Sequence, residues 1–310
     1  MNVLVTGATG FVGINTVNVL SDSYNVRAFV RNKEKAESLL KGAVDISLGD
    51  ISDINSLKEA MKGIDCVVHI AGLIKSHNID NLYKINADGT KNVALAAKET
   101  GVTNIVYLSS LSARGPDNSD KPVSHYGYSK LKGEYELMKY VCDFDLKILR
   151  PPIIYGEYER EFFMLFKFAK SGFLPVLKDK PFSFVYVRDL ANAVKGLVGY
   201  KTKKPQIYYI SDGNTYLWQE AADIIFDTLN QQKLRIKLNL SPVFANFIAY
   251  LTYFLKDKAP FTLDKINEIK ADGWTCGYEK LKIDLNFKPE YAIREGFKKT
   301  LEWYEKNGWL

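Results

Sequence analysis

The feature that most constrains this chain is a strand that runs straight into a glycine-rich turn. Asn2–Thr6 is a short apolar run, and Gly7-Ala8-Thr9-Gly10-Phe11-Val12-Gly13 follows it at once. Glycines at such a turn allow a sharp bend and a close backbone approach. The helix pattern Gly13–Leu20 that follows offers free N–H groups and the positive end of a dipole. A strand, a turn and a helix start in this order suit a pyrophosphate. Gly7, Thr9, Gly10, Phe11, Val12 and Gly13 are therefore the candidate dinucleotide contacts.

The rest of the first half keeps the same rhythm. Strand patterns at Asn25–Val30, Asp45–Leu48, Cys66–Ile70, Asn104–Leu108 and Leu146–Leu149 alternate with helix patterns at Ile54–Lys62, Thr90–Thr100 and Tyr126–Val141. Ser52 or Asp53 can cap the first of these helices, and Gly63 and Gly101 stop the first two. Alternation of this kind predicts an α/β fold: a Rossmann-type doubly wound parallel sheet with helices on both faces. After Pro151-Pro152 the rhythm changes. Glu157–Gly172 reads as an aromatic-rich helix or loop, Phe182–Val187 and Ile207–Ile210 as late strands, Asp189–Val198 as the helix between them, and residues 215–305 as mostly helical. The expected division is a dinucleotide-binding core of residues 1–152 joined by 182–212. Residues 153–181 and 213–310 would form a smaller, mostly helical C-terminal substrate lobe.

Composition removes several alternatives. The chain has 310 residues, 46% of them hydrophobic and 25% charged, and its net charge is 42 − 36 = +6. That suits a globular enzyme with a large core. The basic residues are scattered, with no arginine-rich stripe, which argues against nucleic acid. Cys66, Cys142 and Cys276 form no CxxC and no even framework, pointing to a reducing, cytoplasmic setting. The opening MNVLVTG lacks a basic, then apolar, leader. Val243 to Leu255 is the longest nearly apolar run. It is shorter than the ~20 residues a membrane span needs, and reads as small-lobe core, with a lid, a dimer face or a membrane-surface helix as alternatives. His69, His77 and His125 show no HExxH pairing, so no metal site is expected, and no GxSxG elbow is present.

The second strand bears on the cofactor. An enzyme using NAD commonly carries an acid at its end, to accept from the ribose 2′-hydroxyl. Here the strand ends Val30-Arg31-Asn32, with no acid, and Arg31 can clamp a 2′-phosphate by paired, charge-assisted hydrogen bonds. NADP(H) is the expected cofactor, with NAD(H) as the alternative.

Tyr126 and Lys130 stand four apart on a helix pattern and so share a face. A tyrosine hydroxyl titrates near pH ~10, and a nearby ammonium lowers that value and equips it for proton transfer. Tyr128 and Ser129 lie on other faces. Just upstream, Ser109-Ser110-Leu111-Ser112 follows the fifth strand, which delivers it to the carboxyl edge of the sheet.

The GxxGxxG spacing in Thr6–Gly13 resembles the extended branch of the short-chain dehydrogenase/reductase superfamily, and the resemblance covers nearly the whole chain. Arg27–Asn32 resembles the corresponding stretch of dihydroflavonol reductases, which use NADPH. The resemblance implies that Asp50 and Ile51 meet the adenine and that Ala71 and Gly72 lie along the cofactor. It implies that Asn86 opens an NxxGT helix start. Lys130 would also bind the nicotinamide ribose, and Pro152 and Ile153, within a segment like LRPPxVYG, would border the nicotinamide. Counting back from Gly115 places the family's catalytic serine on Ser110, with Ser109 as the competing assignment. Ser112 would be in reach of substrate. Ser110 and Tyr126 would hold the carbonyl oxygen while the cofactor gives a hydride, and Tyr126 would donate the proton.

Nucleotide-sugar epimerases and dehydratases hold a diphosphate with an Asn and an Arg. By register those positions are Ile153 and Phe182, and neither side chain binds phosphate; Lys178 or Lys180 could substitute. The expected substrate is therefore a fairly apolar ketone or aldehyde, such as a steroid- or flavonoid-like carbonyl. Ile153, Phe182, Phe162, Phe163, Phe166 and Phe173 are candidate pocket lining, with core packing as the alternative for each. The tail, Gly296 to Leu310, resembles NAD-dependent epimerase/dehydratase-like members. A nucleotide-sugar epimerase or dehydratase with tightly bound NAD is the alternative function, and a non-catalytic cofactor-binding protein a third. A homodimer is expected by analogy alone.

Overall fold

A computed structural model describes residues 1–42, 44–116, 118–177, 180–230, 234–239 and 263–310. Lys178 and the Val243–Leu255 run lie outside the described residues.

The first half builds as its pattern dictates. β1 (Asn2–Thr6), α1 (Phe11–Ser21), β2 (Asn25–Val30), α2 (Lys33–Leu39), β3 (Asp45–Leu48), α3 (Ile54–Met61) and β4 (Cys66–His69) alternate. Asp53, rather than Ser52, caps α3 by accepting from Asn55 N at 2.9 Å. α4 (Ile79–Tyr83) runs through a π-turn (Lys84–Asp88) into α5 (Gly89–Thr100), which ends on the left-handed Gly101. Then come β5 (Asn104–Leu108), α6 (Leu111–Arg114), α7 (His125–Met138) and β6 (Asp145–Arg150).

The second half is more broken. It comprises β7 (Ile153–Tyr155), α8 (Arg160–Lys170), β8 (Phe173–Val176), β9 (Pro181–Phe182), β10 (Phe184–Tyr186), α9 (Val187–Gly199) and β11 (Gln206–Tyr209). β12 (Tyr216–Leu217), α10 (Trp218–Thr228), β13 (Ile236–Asn239), α11 (Leu263–Lys270), α12 (Glu279–Leu285) and α13 (Ile293–Lys306) follow. The strand expected over Phe182–Val187 is split at Ser183. Its amide bonds Trp274 O at 2.9 Å and its hydroxyl exchanges bonds with the Cys276 backbone, which diverts the chain between β9 and β10. The region expected to be mostly helical also supplies the small ribbons β12–β9 and β13–β8. Among the described residues, no helix is long and apolar enough to cross a membrane.

Seven strands form one parallel sheet in the order β3-β2-β1-β4-β5-β6-β11. The order reverses between β1 and β4, which opens a crevice at their carboxyl ends. Central strands are buried on both faces, as all four residues of β4 show, and so read as continuous apolar runs. A separate aromatic core gathers Phe162, Phe166, Phe182, Phe184, Trp274, Phe297 and Tyr304. Phe162, Phe166 and Phe182 are thus buried in packing. Phe163 stacks edge-on against Tyr304 and Trp309, while Phe173 is exposed on β8. For Phe162, Phe163, Phe166 and Phe182 this corrects the pocket-lining expectation: T-shaped ring contacts within the lobe take up their faces.

A buried ion pair fixes α7 against β6. Arg150 donates from Nε to Glu134 Oε1 at 2.9 Å and from Nη2 to Oε2 at 2.6 Å, with side chains 2% and 3% exposed. A second device ties β1 to β4 and α5. Thr90 Oγ1 donates to Asn86 O at 2.7 Å, so it can only accept from His69 Nε2, 3.0 Å away. This assigns the neutral ring with its proton on Nε2. Nδ1 then accepts from Thr6 Oγ1 at 2.7 Å, and that oxygen accepts from Ala71 N at 3.2 Å. Burial, followed by the nearby Lys130 charge, pushes the His69 pKa down to about 3.

Two outcomes follow from this arrangement. Glu134→Ala removes the buried partner of Arg150, leaving it only Asp120 and the Tyr209 hydroxyl, and should cost about 3 kcal/mol in urea unfolding, with Glu134→Ala/Arg150→Met recovering part of it. An unchanged unfolding midpoint for the single variant would refute the role. For His69, the unfolded chain takes up a proton below pH ~6.5 that the folded chain refuses, so stability falls as pH falls from there towards 3. His69→Gln should lower stability at pH 7 and flatten its pH dependence between pH 7 and 5. The difference should approach ~1.4 kcal/mol per pH unit for one proton.

Candidate functional site

The turn after β1 owes its shape to two glycines. Gly7 has φ +72°, and a Cβ there would lie 2.7 Å from Ala71 N. A Cβ on Gly13 would lie 2.1 Å from Gly7 O. The turn closes by Gly10 N donating to Gly7 O at 3.0 Å, and no side chain caps α1 at Gly10. The N-terminus of an eleven-residue helix therefore opens bare at the crevice beside Thr9, while Phe11 and Val12 pack partly against the aromatic core. These residues fit a dinucleotide pyrophosphate: a cradle that side chains would fill, next to uncapped N–H groups.

At the far edge, Arg31 follows β2 with its side chain 80% exposed, and Nη1 comes within 3.9 Å of Asp50 Oδ2. Asp50 accepts from Ser52 N at 2.8 Å and Ser52 Oγ at 2.7 Å, bonds that hold its carboxyl below the usual range. Ile51 is buried against Gly89, and its carbonyl accepts from Asn92 Nδ2 at 3.0 Å. Ala71 is held by Thr6, and Gly72 backs onto the Asn86 amide and the Lys130 ammonium.

Asn86 sits inside the π-turn and is fully buried. It accepts from Leu73 N at 2.8 Å and donates to Leu73 O and Ser129 Oγ, each at 2.8 Å. Ser129 Oγ in turn donates to Tyr126 O at 2.7 Å. The Asn86 side chain is thus a strut between the turn after β4 and α7.

The serine run resolves into distinct roles. Ser109 is buried, and its hydroxyl donates to Glu134 Oε1 inside the ion pair with Arg150. Ser110 is half-buried and caps α6, accepting from Ser112 N at 3.1 Å, and its side chain lies close enough to Tyr126 to act on the phenol. Ser112 likewise lies close to the Glu268 carboxylate. Pro151 O accepts from Leu111 N at 2.8 Å, which ties the residue before Pro152 and Ile153 to the residue after Ser110.

Burial raises the Tyr126 phenol above its ordinary value, with the nearby Ser110 opposing it. This corrects the expected lowering by Lys130. The Lys130 ammonium is buried and donates to Leu108 O at 2.7 Å, lying 4.4 Å from the Tyr107 ring centre. Burial brings it down to about 7, against the pull of Glu134. The charges that act on the Tyr126 phenol are Glu268 and Lys265, two residues of α11 that no motif marked. Phe182 pairs with Tyr216 across β9–β12 and meets Trp218 at 5.3 Å. Lys180 donates to Lys270 O at 2.7 Å and to Ile269 O at 3.1 Å, so its ammonium is spent at the end of α11. Among the described residues, no group of three His, Cys, Asp or Glu could hold a metal.

Comparison with known proteins adds to this geometry. The chain is 29% identical to a ceramide reductase of Caulobacter vibrioides, over 99% of this chain and 96% of that one. It is 26% identical to a UDP-glucose 4-epimerase of Vibrio cholerae, over 97% and 94%. It shares the fold of the dTDP-glucose 4,6-dehydratase DesIV of Streptomyces venezuelae, solved with NAD bound. That likeness has a TM-score of 0.79 at 20% identity and covers 100% of this chain and 98% of that one. A sequence model of one family matches residues 3–211, a span that takes in all seven strands of the sheet. The chain belongs to the NAD dependent epimerase/dehydratase family, a family of NAD(P)-dependent enzymes of the extended short-chain dehydrogenase/reductase type.

Proposed function

We propose that this chain is an NADP(H)-dependent oxidoreductase that reduces a ketone or aldehyde on a fairly apolar substrate. The observation that carries the reading is the placement of Ser110, at the exit of β5 and the cap of α6, beside Tyr126 in the first turn of α7, with burial keeping the phenol protonated. Bound NADP(H) would supply the hydride. Ser110 and Tyr126 hold the carbonyl oxygen between two hydroxyl donors, and Tyr126 passes its proton to that oxygen as negative charge develops. The bare start of α1, with Gly7, Gly10 and Gly13, would hold the pyrophosphate. Lys130 and Gly72 would border the ribose, Pro152 and Ile153 the nicotinamide, and Asp50 and Ile51 the adenine end. Arg31 would clamp the 2′-phosphate, since its exposed guanidinium touches Asp50 only at 3.9 Å and no acid ends β2. Segments 153–181 and 213–310 would face the substrate. The relative named a ceramide reductase supports an apolar carbonyl as substrate.

A nucleotide-sugar epimerase is the second reading, favoured by the relative named a UDP-glucose 4-epimerase. Against it, Ile153 and Phe182 stand where that class places phosphate ligands, and Lys180, one proposed substitute, is committed to helix carbonyls.

The test is consumption of NADPH, and in parallel NADH, by the purified protein with long-chain keto-lipids, steroids, flavonoids and simple aldehydes. Tyr126→Phe should lower turnover by about 10²–10⁴-fold and leave NADPH affinity within a few fold. Arg31→Asp should shift preference from NADPH towards NADH. Turnover retained in Tyr126→Phe would overturn the catalytic assignment. Isomerisation of a UDP-sugar with no net cofactor change would establish the second reading.

A further inference from the structure

α11 lies beyond the segment that the family match covers, yet it is docked onto the start of the catalytic helix. The Asp264 carboxylate accepts from His125 N at 2.6 Å and from Tyr126 N at 3.0 Å. It thus caps α7 from another part of the chain, where a negative charge is favoured. Glu268, with its side chain 7% exposed, accepts from Ser124 Oγ at 2.9 Å, with Ser112 close by. Its other oxygen takes Lys265 Nζ at 2.8 Å. The far end of α11 is pinned by Lys180 and by Trp274 Nε1, which donates to Glu268 O at 2.9 Å. Glu268 therefore grips the residue two positions before Tyr126 and stands near the residue two positions after Ser110.

We infer that Glu268 and Lys265 are positioning residues for Tyr126: Glu268, paired with Lys265, holds the Ser124 cap of α7 and so fixes where the first turn of that helix presents Tyr126. The inference rests on the reading of Tyr126 as proton donor. Among the described residues, the groups facing Tyr126 come from three elements. α6 supplies the neutral Ser110, β5 the buried Tyr107, and α11 the Glu268 and Lys265 pair. Asp264 lies against the Tyr126 amide, and Lys130, one turn along α7, is turned to Leu108 O. Behind Lys265, Glu161 of α8 acts on that lysine and approaches Lys75 at 3.9 Å. Glu268 favours the neutral phenol and Lys265 the phenolate, so removing either charge alone unbalances the pair in opposite directions.

The experiment titrates the full chain, labelled with tyrosine carrying ¹³C at Cζ, in the absence of cofactor and substrate. Loss of one resonance in Tyr126→Phe identifies the phenol. Glu268→Gln, which keeps an acceptor for Ser124 but removes the charge, should move the midpoint down by roughly one pH unit. Lys265→Met should move it up by a similar amount, and the double variant should return it near the wild-type value. Lys265 has a half-exposed side chain, so its variant tests the idea even if Glu268→Gln does not fold. Midpoints that coincide with wild type, or that shift in the same direction in both variants, would overturn the inference. Turnover retained in Tyr126→Phe would instead remove the catalytic reading while leaving the titration result in place.

Discussion

The site depends first on the buried pairing of Glu134 with Arg150. Two full charges in an apolar interior are tolerated only when nearly every donor and acceptor is met. Here Arg150 uses Nε and Nη2 on Glu134, and Nη1 on Asp120 Oδ1 at 2.7 Å and Tyr209 OH at 3.1 Å. Glu134 also takes the Ser109 hydroxyl. Three elements are registered at one point: the end of β6, the middle of α7 and the exit of β5. Because Ser109 is held there, the next residue, Ser110, turns out towards Tyr126. Because Glu134 is one turn beyond Lys130, its charge offsets part of the burial that would otherwise strip the lysine of its proton.

A second constraint runs through the π-turn. Such turns shift the helix register by one residue and recur at functional sites. Here the shift accompanies full burial of Asn86, whose amide bonds both backbone groups of Leu73 and the Ser129 hydroxyl. The turn after β4, proposed to lie along the cofactor, and α7, proposed to carry the proton donor, are thereby held to one another. Proximity catalysis tolerates errors of well under an ångström, so a strut with every polar atom engaged matters more here than one more ligand contact.

What the sequence made legible was local. The glycine turn, the apolar strands and the caps at Asp53 and Gly101 follow from short stretches whose chemistry acts on immediate neighbours. The doubly wound parallel sheet followed from the alternation of elements. Assignments that needed a partner far along the chain were not legible. Ser109 and Ser110 are alike in the sequence, and only Glu134, 25 residues on, separates them. Asp264 reaches back 139 residues to His125, with no spacing to mark it. Phe182 and Lys180 invited functional readings because of the residue types expected there. Tertiary packing gave one to Trp218 and the other to the carbonyls of α11.

The same distinction explains why Tyr126 departs from the simplest reading of its helix. A lysine four residues along a helix is near enough to stabilise a phenolate, provided its ammonium faces the phenol. In this fold the Lys130 ammonium finds a stronger local partner in the Leu108 carbonyl, 2.7 Å away, and the face of Tyr107. Burial then dominates the phenol and holds it neutral. A neutral phenol can give a proton to an oxygen that gains charge, the role proposed for Tyr126 in carbonyl reduction. Tertiary burial, more than the motif's own lysine, therefore sets the protonation of this phenol.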